Sequence, residues 1–242
     1  MKNILLTAIA VVAFICPSVQ AGVIYQEDFE GLATGDTLPS PPWSWLVQGY
    51  DASKVFVWGY YPGGAPNVGI YEVETGQAGA EQGLNTLRSN ADYGADYPNN
   101  PWIETVLFNE HTITAGEAAL GTATFAFDYK NIGVAGTTTE DVFLKVLDPN
   151  NSFATMDIDL QAVTAADTAW GDGFLSVDVS AATGMILQFG TSTFVENYGA
   201  SGIGLDNIDV QAVPEPATAG LLAIAGISMY AIRRIRRFNK IT

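Results

Sequence analysis

The stretch Thr122-Ala-Thr-Phe-Ala-Phe-Asp-Tyr129 alternates between two kinds of side chain. Apolar or aromatic residues occupy positions 123, 125, 127 and 129, and polar or small residues stand between them. Successive side chains of a β-strand point to opposite faces, so the first set shares one face. The stretch therefore predicts a strand with one face in a hydrophobic core.

Similar short stretches recur along the chain, with turn residues between them at the 8–12-residue spacing that is typical of sandwiches. Helical periodicity over ten or more residues, which a parallel βαβ architecture needs, is missing. We predict an all-β protein, a β-sandwich of the jelly-roll type. Long loops are expected at 77–100, around a short strand at 85–89. The other predicted strands are 23–29, 54–60, 68–73, 103–108, 123–129, 141–147, 152–160, 174–179, 184–189 and 203–210.

The amino-terminal residues have the layout of a secretory signal peptide. Lys2 provides a positive start, residues 4–15 are apolar except for Thr7, and small residues precede a cleavage site at Ala21. We predict a signal peptide at 1–21 that is cut after Ala21. The alternative is a retained membrane helix, for which the apolar run is short because spanning takes about 20 apolar residues.

A second apolar run, residues 217–232, carries no charge and lies near the carboxyl terminus. As a helix it would extend about 24 Å, at about 1.5 Å per residue, and flanking arginines can lengthen a span by snorkelling. Basic residues tend to stay in the cytoplasm, which places the preceding chain outside. We predict one transmembrane helix at 217–232 and a basic tail at 233–242; a terminal core helix is the alternative. The tail's arginines are Arg233, Arg234, Arg236 and Arg237.

Val213-Pro214-Glu215-Pro216, the apolar run and the Arg-rich end together resemble the PEP-CTERM sorting signal, over residues 213–242. The resemblance implies that an exosortase, a membrane cysteine transpeptidase, processes the chain near Pro214, Glu215 and Pro216, with residues 233–237 as the retention end. It implies an exported protein of the cell envelope or surface of a Gram-negative bacterium, membrane-anchored before processing. Such bacteria typically make extracellular polysaccharide.

The predicted ectodomain, residues 22–212, is strongly acidic. It has 25 acidic and four basic side chains, a formal charge of −21. This balance excludes nucleic acid as a partner, since binding phosphates requires Lys and Arg, and it is compatible with divalent cations. The single cysteine, Cys16, lies in the signal peptide, so a disulfide framework or a thiol nucleophile is excluded from the mature chain.

Tyr25-Gln-Glu-Asp-Phe-Glu-Gly31, the tryptophans Trp43 and Trp45, and residues 202–210 resemble scattered motifs of carbohydrate-binding modules with a jelly-roll fold. In such modules an early Phe-Glu and a late Asp-Asn often meet, and a structural calcium can lie there. The resemblance therefore implies glycan binding, with a calcium ion near the ends of the domain.

The residues themselves indicate a β-bulge at Asp206-Asn207. Ile203 and Leu205 share one strand parity, and Ile208 has the other, so one extra residue is needed to keep all of them on the core face. Calcium binds six to eight oxygens, usually with several carboxylates. We expect a calcium site whose ligands include Asp28, Glu30, Asp206 and Asn207; the alternative is that these side chains simply face solvent.

Aromatic residues are frequent between positions 43 and 102. Exposed rings can stack on the apolar face of a sugar, but aromatic rings also make up much of a sandwich core. Trp43 and Trp45 should point the same way in an extended segment. The expected ligand-binding residues are Trp43, Tyr93 and Tyr97, the last two in a segment rich in Asn and Asp.

Nothing in the sequence favours catalysis. His111 is the only histidine, and no nucleophile motif, phosphate loop or metalloprotease motif occurs. We expect a non-enzymatic surface or matrix protein that binds extracellular polysaccharide or another envelope component. A glycoside hydrolase or lyase on the same fold, and a purely structural envelope protein, remain alternatives.

Overall fold

The computed structural model describes residues 21–33, 43–60, 71–75, 82–90, 102–132, 139–196 and 202–214. These residues form two antiparallel sheets and one short helix. Each sheet buries one face against the other, which makes the fold a β-sandwich, as predicted.

Sheet one contains six strands. They are β1 (Gly22–Glu27), β4 (Tyr71–Thr75), β5 (Asn85–Asn90), β7 (Gly121–Asn131), β10 (Gly171–Asp178) and β12 (Gly202–Pro214). Their order is β10-β7-β12-β5-β4, and β1 also pairs with β12. On the edge of β12 away from β7, residues 202–205 pair with β5 and residues 208–212 pair with β1. The first and last described strands are therefore direct neighbours.

Sheet two also contains six strands, which are β2 (Trp43–Tyr50), β3 (Phe56–Tyr60), β6 (Trp102–Thr112), β8 (Thr139–Asp148), β9 (Ala154–Val163) and β11 (Ile186–Glu196). Their order is β3-β2-β6-β11-β8-β9. The sequence-based predictions do not include β2. In the structure its residues alternate regularly between buried and half-buried.

The core lies between the sheets and contains the residues that the opening stretch predicts. Ala123, Phe125 and Phe127 of β7 are buried, and the centroid of the Phe125 ring lies 5.5 Å from that of Phe189 on β11 in the other sheet. Burying one large apolar side chain contributes about 1.5–3 kcal/mol. The inward face predicted for residues 122–129 is confirmed.

The connections carry the chain from one sheet to the other. From β5 onward each connection crosses between the sheets, except the β8–β9 hairpin. Frequent crossing of this kind is typical of double-sheet jelly rolls. Its consequence here is that β6, β8 and β11 lie side by side and present their outward residues on one continuous face.

A β-bulge interrupts β12 where its apolar register changes. Between the pairs that β12 forms with β7, two residues, Asn207 and Ile208, stand opposite a single residue. Asn207 has a φ of 48°, the left-handed region that asparagine tolerates better than most residues. Leu205 and Ile208 are both buried as a result. The bulge predicted at Asp206-Asn207 is confirmed.

Carboxylates join the two sheets where their edge strands β9 and β10 meet. The backbone N–H of Ser176 donates to Asp159 Oδ2 at 2.9 Å, and that of Asp178 donates to Asp157 Oδ2 at 2.8 Å. These N–H groups belong to the side of β10 that faces away from β7. The two aspartates thus provide hydrogen-bond acceptors that an edge strand otherwise lacks.

The single described helix, α1 (Ala115–Ala118), is capped by a capping box. Glu117 N–H donates to the Thr114 hydroxyl, and the Thr114 N–H donates to Glu117 Oε2. His111 Nε2 lies 2.9 Å from the same carboxylate, so the only histidine forms a structural ion pair when protonated. No helix within the described ranges is long and apolar enough to cross a membrane; residues 1–20 and 215–242 lie outside those ranges.

Candidate functional site

A groove crosses the outer face of sheet two. It consists of two adjoining hollows of about 560 and 210 Å³, which share Glu104, Val106 and Lys145. We call it the sheet-two groove. Its lining is supplied by β2, β6, β8, β9 and β11 and consists of Ser44, Leu46, Glu104, Val106, Phe108, Glu110, Asp141, Phe143, Lys145, Leu147, Phe153, Thr155, Ile158, Leu160, Gln188 and Ser192.

The floor of the sheet-two groove is apolar and the wall on the β9 side is exposed. Phe108, Phe143 and Leu147 are at most 6 % exposed. Phe153, in the β8–β9 turn, is 57 % exposed, and Leu160 of β9 is 52 % exposed. Exposed apolar side chains beside a depression mark ligand or protein contacts more often than isolated ones do.

Two glutamates of β6 are fixed in the groove by polar neighbours. The Tyr50 hydroxyl donates to Glu104 Oε2 at 2.5 Å, and the Gln188 side-chain amide donates to Glu110 Oε1 at 2.7 Å. Burial, and then the Glu104 carboxylate, raise the pKa of Tyr50, so its hydroxyl stays a donor. Each glutamate keeps oxygen lone pairs for a ligand.

Lys145 and Asp141 extend from β8 into the same groove. The Lys145 ammonium lies 4.6 Å from the centroid of the Phe143 ring. Burial lowers its pKa, while the charges of Glu104 and Glu110 act in the opposite direction. Burial alone raises the pKa of Asp141. The groove therefore combines an apolar floor with carboxylates, an amide and one ammonium.

Aromatic rings continue the face beyond the groove. Trp102 of β6 and Phe194 of β11 are stacked with centroids 5.0 Å apart, and Tyr50 meets Phe194 edge-on at 5.3 Å. The Lys54 ammonium lies 4.0 Å above the Trp102 ring. Lys54 has a φ of 61°, in a turn whose N–H groups at 53 and 55 donate to the Asp51 side chain. The turn thus holds a cation over these rings.

A second candidate site lies at the bulge of β12. Asp206 is directly opposite Asp128 of β7, and the Asn207 amide donates to Asp128 Oδ2 at 2.8 Å. Glu30 accepts the backbone N–H groups of residues 84 and 85 at 2.7 and 2.8 Å. Asp28 and Glu30 both act electrostatically on Asp206. Asp28 and Glu30 therefore lie near enough to Asp206 to act on it electrostatically, and Asp128 is an additional nearby carboxylate that sequence analysis missed.

Asp206 is the buried member of this cluster. It is 0 % exposed, and its Oδ2 is buried without a hydrogen-bond partner. Burial raises its pKa to about 7; the charges of Asp128, Glu30 and Asp28 act in the same direction, and the hydrogen bond from the Asn207 N–H acts against it. A carboxylate oxygen without a hydrogen-bond partner keeps its lone pairs available to a cation.

The other carboxylates of the cluster already have partners. Asp28 Oδ1 accepts the Glu30 N–H, Glu30 Oε1 accepts two backbone N–H groups, and Asp128 Oδ2 accepts the amides of Gln82 and Asn207. No group of three or more His, Cys, Asp or Glu side chains in the described part of the chain is arranged to hold a metal. A cation would need the remaining oxygens to turn toward Asp206 Oδ2.

Trp43 lies in the core, which corrects the expectation that it contacts a ligand. It is 2 % exposed, its indole N–H donates to the Tyr25 hydroxyl at 2.9 Å, and its ring meets Phe189 edge-on. Trp45 points the same way and is also buried. The shared face predicted for the two tryptophans is confirmed, but it is the inward face, where the Trp43 ring packs against Tyr25 of sheet one.

Several predicted residues lie outside the described part of the chain. Tyr93 and Tyr97 are among them, as are Glu215, Pro216 and the four arginines of the tail. Pro214 is the last residue of β12, and Ala21 immediately precedes β1. Their predicted processing roles stay predictions.

Sequence reasoning missed every lining residue of the sheet-two groove. The usable signal was in β6 and β8, whose outward positions mix charged residues with apolar and aromatic ones: Glu104, Val106, Phe108 and Glu110 on β6, and Asp141, Phe143 and Lys145 on β8. A strand face of a solvated sheet normally reads as polar throughout. Aromatic rings interleaved with charges on an outward face therefore indicate a binding surface.

Comparisons with known proteins give weak structural likenesses. A family 16 carbohydrate binding module aligns at 11 % identity and a TM-score of 0.41, over 58 % of this chain and 84 % of that one. The C-terminal family 22 carbohydrate binding module of Clostridium thermocellum Xyn10B aligns at 15 % identity and 0.41, over 79 % and 93 %. An exo-beta-agarase aligns at 14 % and 0.46, over 79 % of this chain and 25 % of that one.

These identities and TM-scores are too low for a functional argument. No model of a protein family matches the sequence, and no curated protein matches it either. The function is therefore argued from the two sites themselves.

Proposed function

We propose that the protein binds an extracellular polysaccharide in the sheet-two groove. The observation that carries the proposal is the outward face of β6 and β8, where Phe108 and Phe143 form a floor between Glu104, Glu110 and Lys145. Ligand sites typically combine an apolar lining with a few polar groups that fix orientation.

A sugar chain matches both parts of this lining. Pyranose rings have an apolar face, which suits the phenylalanine floor and the exposed Phe153 wall. Their hydroxyls are donors as well as acceptors, which suits carboxylates and the Gln188 amide. Tyr50 and Gln188 already hold the two glutamates, so little side-chain conformational freedom is lost on binding.

We further propose that the protein is exported and sorted by an exosortase at the envelope of a Gram-negative bacterium. The support is the signal-like segment ending at Ala21 and the PEP-CTERM-like residues 213–242. Mass spectrometry of the protein recovered from envelope fractions tests this. We expect an amino terminus at Gly22 and loss of the residues after the Pro214–Pro216 motif; a chain that keeps residues 1–21 or remains in the cytoplasm would contradict it.

A structural calcium at the β12 bulge is part of the proposal. Asp206 Oδ2, with oxygens of Asp28, Glu30, Asp128 and Asn207, would hold it. The support is the buried, unpartnered oxygen of Asp206. The ion would connect β1, β7 and β12, which pair around the bulge, and would contribute stability by binding only the folded state.

Glycoside hydrolysis is a second candidate function. Glu104 and Asp141 line the same hollow, and burial raises the pKa of Asp141, as a general acid requires. Glu104 and Glu110, by contrast, are six residues apart on one strand, about 20 Å at roughly 3.3 Å per residue, too far for a catalytic pair. Release of reducing sugar that is lost in Asp141→Asn would favour this candidate over simple binding.

Binding is tested with the protein purified from cells that express the full chain. Its migration in native gels that contain different polysaccharides is compared for the wild type, Phe153→Ala and Phe174→Ala. The two phenylalanines are a matched pair, 57 % and 63 % exposed, but Phe174 lies on β10 of the other sheet. We expect Phe153→Ala to lose retardation and Phe174→Ala to keep it.

Two outcomes would contradict groove binding. Equal losses in both phenylalanine variants would indicate non-specific adhesion by exposed rings. An absence of retardation in every polysaccharide would leave a structural or protein-binding role at the envelope as the better interpretation.

A further inference from the structure

We propose that the polysaccharide bound in the sheet-two groove carries free amino groups, as an N-deacetylated amino-sugar polymer does. This inference rests on the proposed function and specifies its ligand class. It is carried by charge complementarity within the groove.

The groove has more acidic than basic side chains. Glu104, Glu110 and Asp141 contribute three carboxylates, and Lys145 contributes the single ammonium of the lining. Glu110 is exposed, and the other three are half-buried. An anionic polymer would place its charges next to these carboxylates, and like charges at that distance repel.

Asp141 is the carboxylate without a partner. Among the described residues it forms no hydrogen bond or ion pair. The hollow that it lines contains the apolar side chains of Val106, Phe143, Ile158 and Leu160 as well as Glu104 and Lys145, and Ser192 lies opposite Asp141 on β11. A half-buried carboxylate in apolar surroundings gains most from a cationic donor. A ligand ammonium is such a donor, whereas a neutral hydroxyl offers only a weaker bond.

Lys145 does not neutralise Asp141. No ion pair joins the two residues, whose Cα atoms lie about 13 Å apart because they are four positions apart on β8. The Lys145 ammonium lies over the Phe143 ring and in the field of Glu104 and Glu110. The position of the Lys145 ammonium also shows where this groove accommodates a positive charge, which is over an aromatic ring and near carboxylates.

The rest of the protein acts in the same direction. Residues 22–212 carry a formal charge of −21, so the surrounding potential attracts cations and repels polyanions. The other cation near this face, Lys54, is held over Trp102 by its turn and lies outside the groove lining. Uronic-acid polymers are therefore disfavoured at long range and inside the groove.

Isothermal titration with oligosaccharides of equal length tests the inference. The probes are a chitosan oligomer, its fully N-acetylated counterpart and an oligogalacturonate, each at about pH 6, where Asp and Glu are mostly ionised. We expect the order of affinity to be chitosan, then the acetylated oligomer, with no binding of the galacturonate. Chitosan affinity should fall as salt rises, because the exposed part of the attraction is screened.

Two variants with the same net charge distinguish the effect of a groove carboxylate on affinity from the effect of the overall charge. Asp141→Asn should weaken chitosan binding about tenfold, since a hydrogen bond to a charged group contributes about that much, and should leave the acetylated oligomer unchanged. Asp172→Asn makes the same change in net charge at an exposed position of β10, in the other sheet. It should bind chitosan like the wild type.

The outcomes distinguish the two proposals. Equal affinity for all three oligomers, or better binding of the acetylated oligomer or the galacturonate, overturns the amino-group inference while groove binding stands. Equal weakening by both variants also overturns it, because the attraction is then only the net charge. Failure of every oligomer to bind overturns both proposals.

Discussion

Replacing Asp206 with asparagine tests whether a buried carboxylate limits the stability of the metal-free sandwich. The pKa of Asp206 is raised to about 7 by burial, from an ordinary value of 3.8. Between these two values the folded protein holds a proton that the unfolded chain has released. The free energy of unfolding therefore falls as pH rises from about 4 to 7 and levels off above it.

The size of this effect follows from the shift. About three pKa units at roughly 1.4 kcal/mol per unit amount to about 4 kcal/mol between the two ends of the range. An asparagine at this position keeps an oxygen that accepts the Asn207 N–H. If its buried NH2 group finds no acceptor, however, the free energy of unfolding falls by about 1–3 kcal/mol. At about pH 8 we expect the free energy of unfolding of Asp206→Asn to exceed that of the wild type by roughly 2 kcal/mol. For a domain of this size the Tm is then higher by about 4–8 °C.

The assay is thermal unfolding, followed by circular dichroism, of the processed protein in chelator at about pH 5 and 8. The control is Asp209→Asn, which makes the same charge change two positions beyond Asn207 at a half-buried carboxylate that accepts bonds from Gln26 and Gln211. It should not reproduce the gain. An Asp206→Asn variant that unfolds at or below the wild-type temperature at the higher pH would refute the reasoning.

Calcium should reverse the sign of the same substitution. If Asp206 Oδ2 is a ligand, millimolar calcium raises the Tm of the wild type and leaves that of Asp206→Asn unchanged. An equal rise in both proteins would refute the calcium site without affecting the pH argument.

Three further predictions concern the stability of individual structural features. Glu117→Gln should lower the free energy of unfolding by about 1–2 kcal/mol near neutral pH, because it weakens the capping box. Hydrogen bonds lower the pKa of Glu117, so the difference should disappear in strong acid, where the wild-type carboxyl group is also protonated. Urea titrations at both pH values measure this difference. The double variant Asp157→Ala, Asp159→Ala should exchange the backbone N–H hydrogens of Ser176 and Asp178 faster, because these groups donate to the two carboxylates. The free energy of unfolding should fall by about 1 kcal/mol for each lost bond, and unchanged exchange would contradict the bridge between the sheets. Gly190→Ala should fail to fold or lose more than about 3 kcal/mol, because its Cβ would overlap the Leu107 carbonyl, and a soluble variant with wild-type Tm would show that β6 and β11 are not so closely paired.

The fold could be predicted because its signals are local. Alternation in 122–129 and 141–147 marks half-buried strands by side-chain direction alone, and the parity change at Asp206-Asn207 marks a bulge by counting. Two of the predicted calcium ligands, Asp28 and Glu30, also lie near enough to Asp206 to act on it electrostatically. That result required the first and last strands to be neighbours, which came from the resemblance rather than from the residues.

The outward faces of β6 and β8 carry a local signal, but their assembly into the sheet-two groove could not be predicted, because it depends on which strands lie side by side. Glu104 and Lys145 are far apart in sequence and meet only because β11 lies between β6 and β8. Trp43 failed as a ligand residue for a related reason. The packing of sheet two against sheet one decides whether the tryptophan face of β2 points inward or outward. Alternation in the sequence shows only that the two tryptophans share a face.

The position of β12 has a mechanical consequence. This strand ends at Pro214 and is bordered by β7 on one edge and by β5 and β1 on the other. If the chain is tethered beyond Pro214, drag on the sandwich pulls β12 along its own axis. The hydrogen bonds on both edges are then sheared together instead of being peeled one after another. If the protein is attached in this way to a cell in flowing water, β12, the strand next to the tether, would be the last strand that the force pulls out of the sheet.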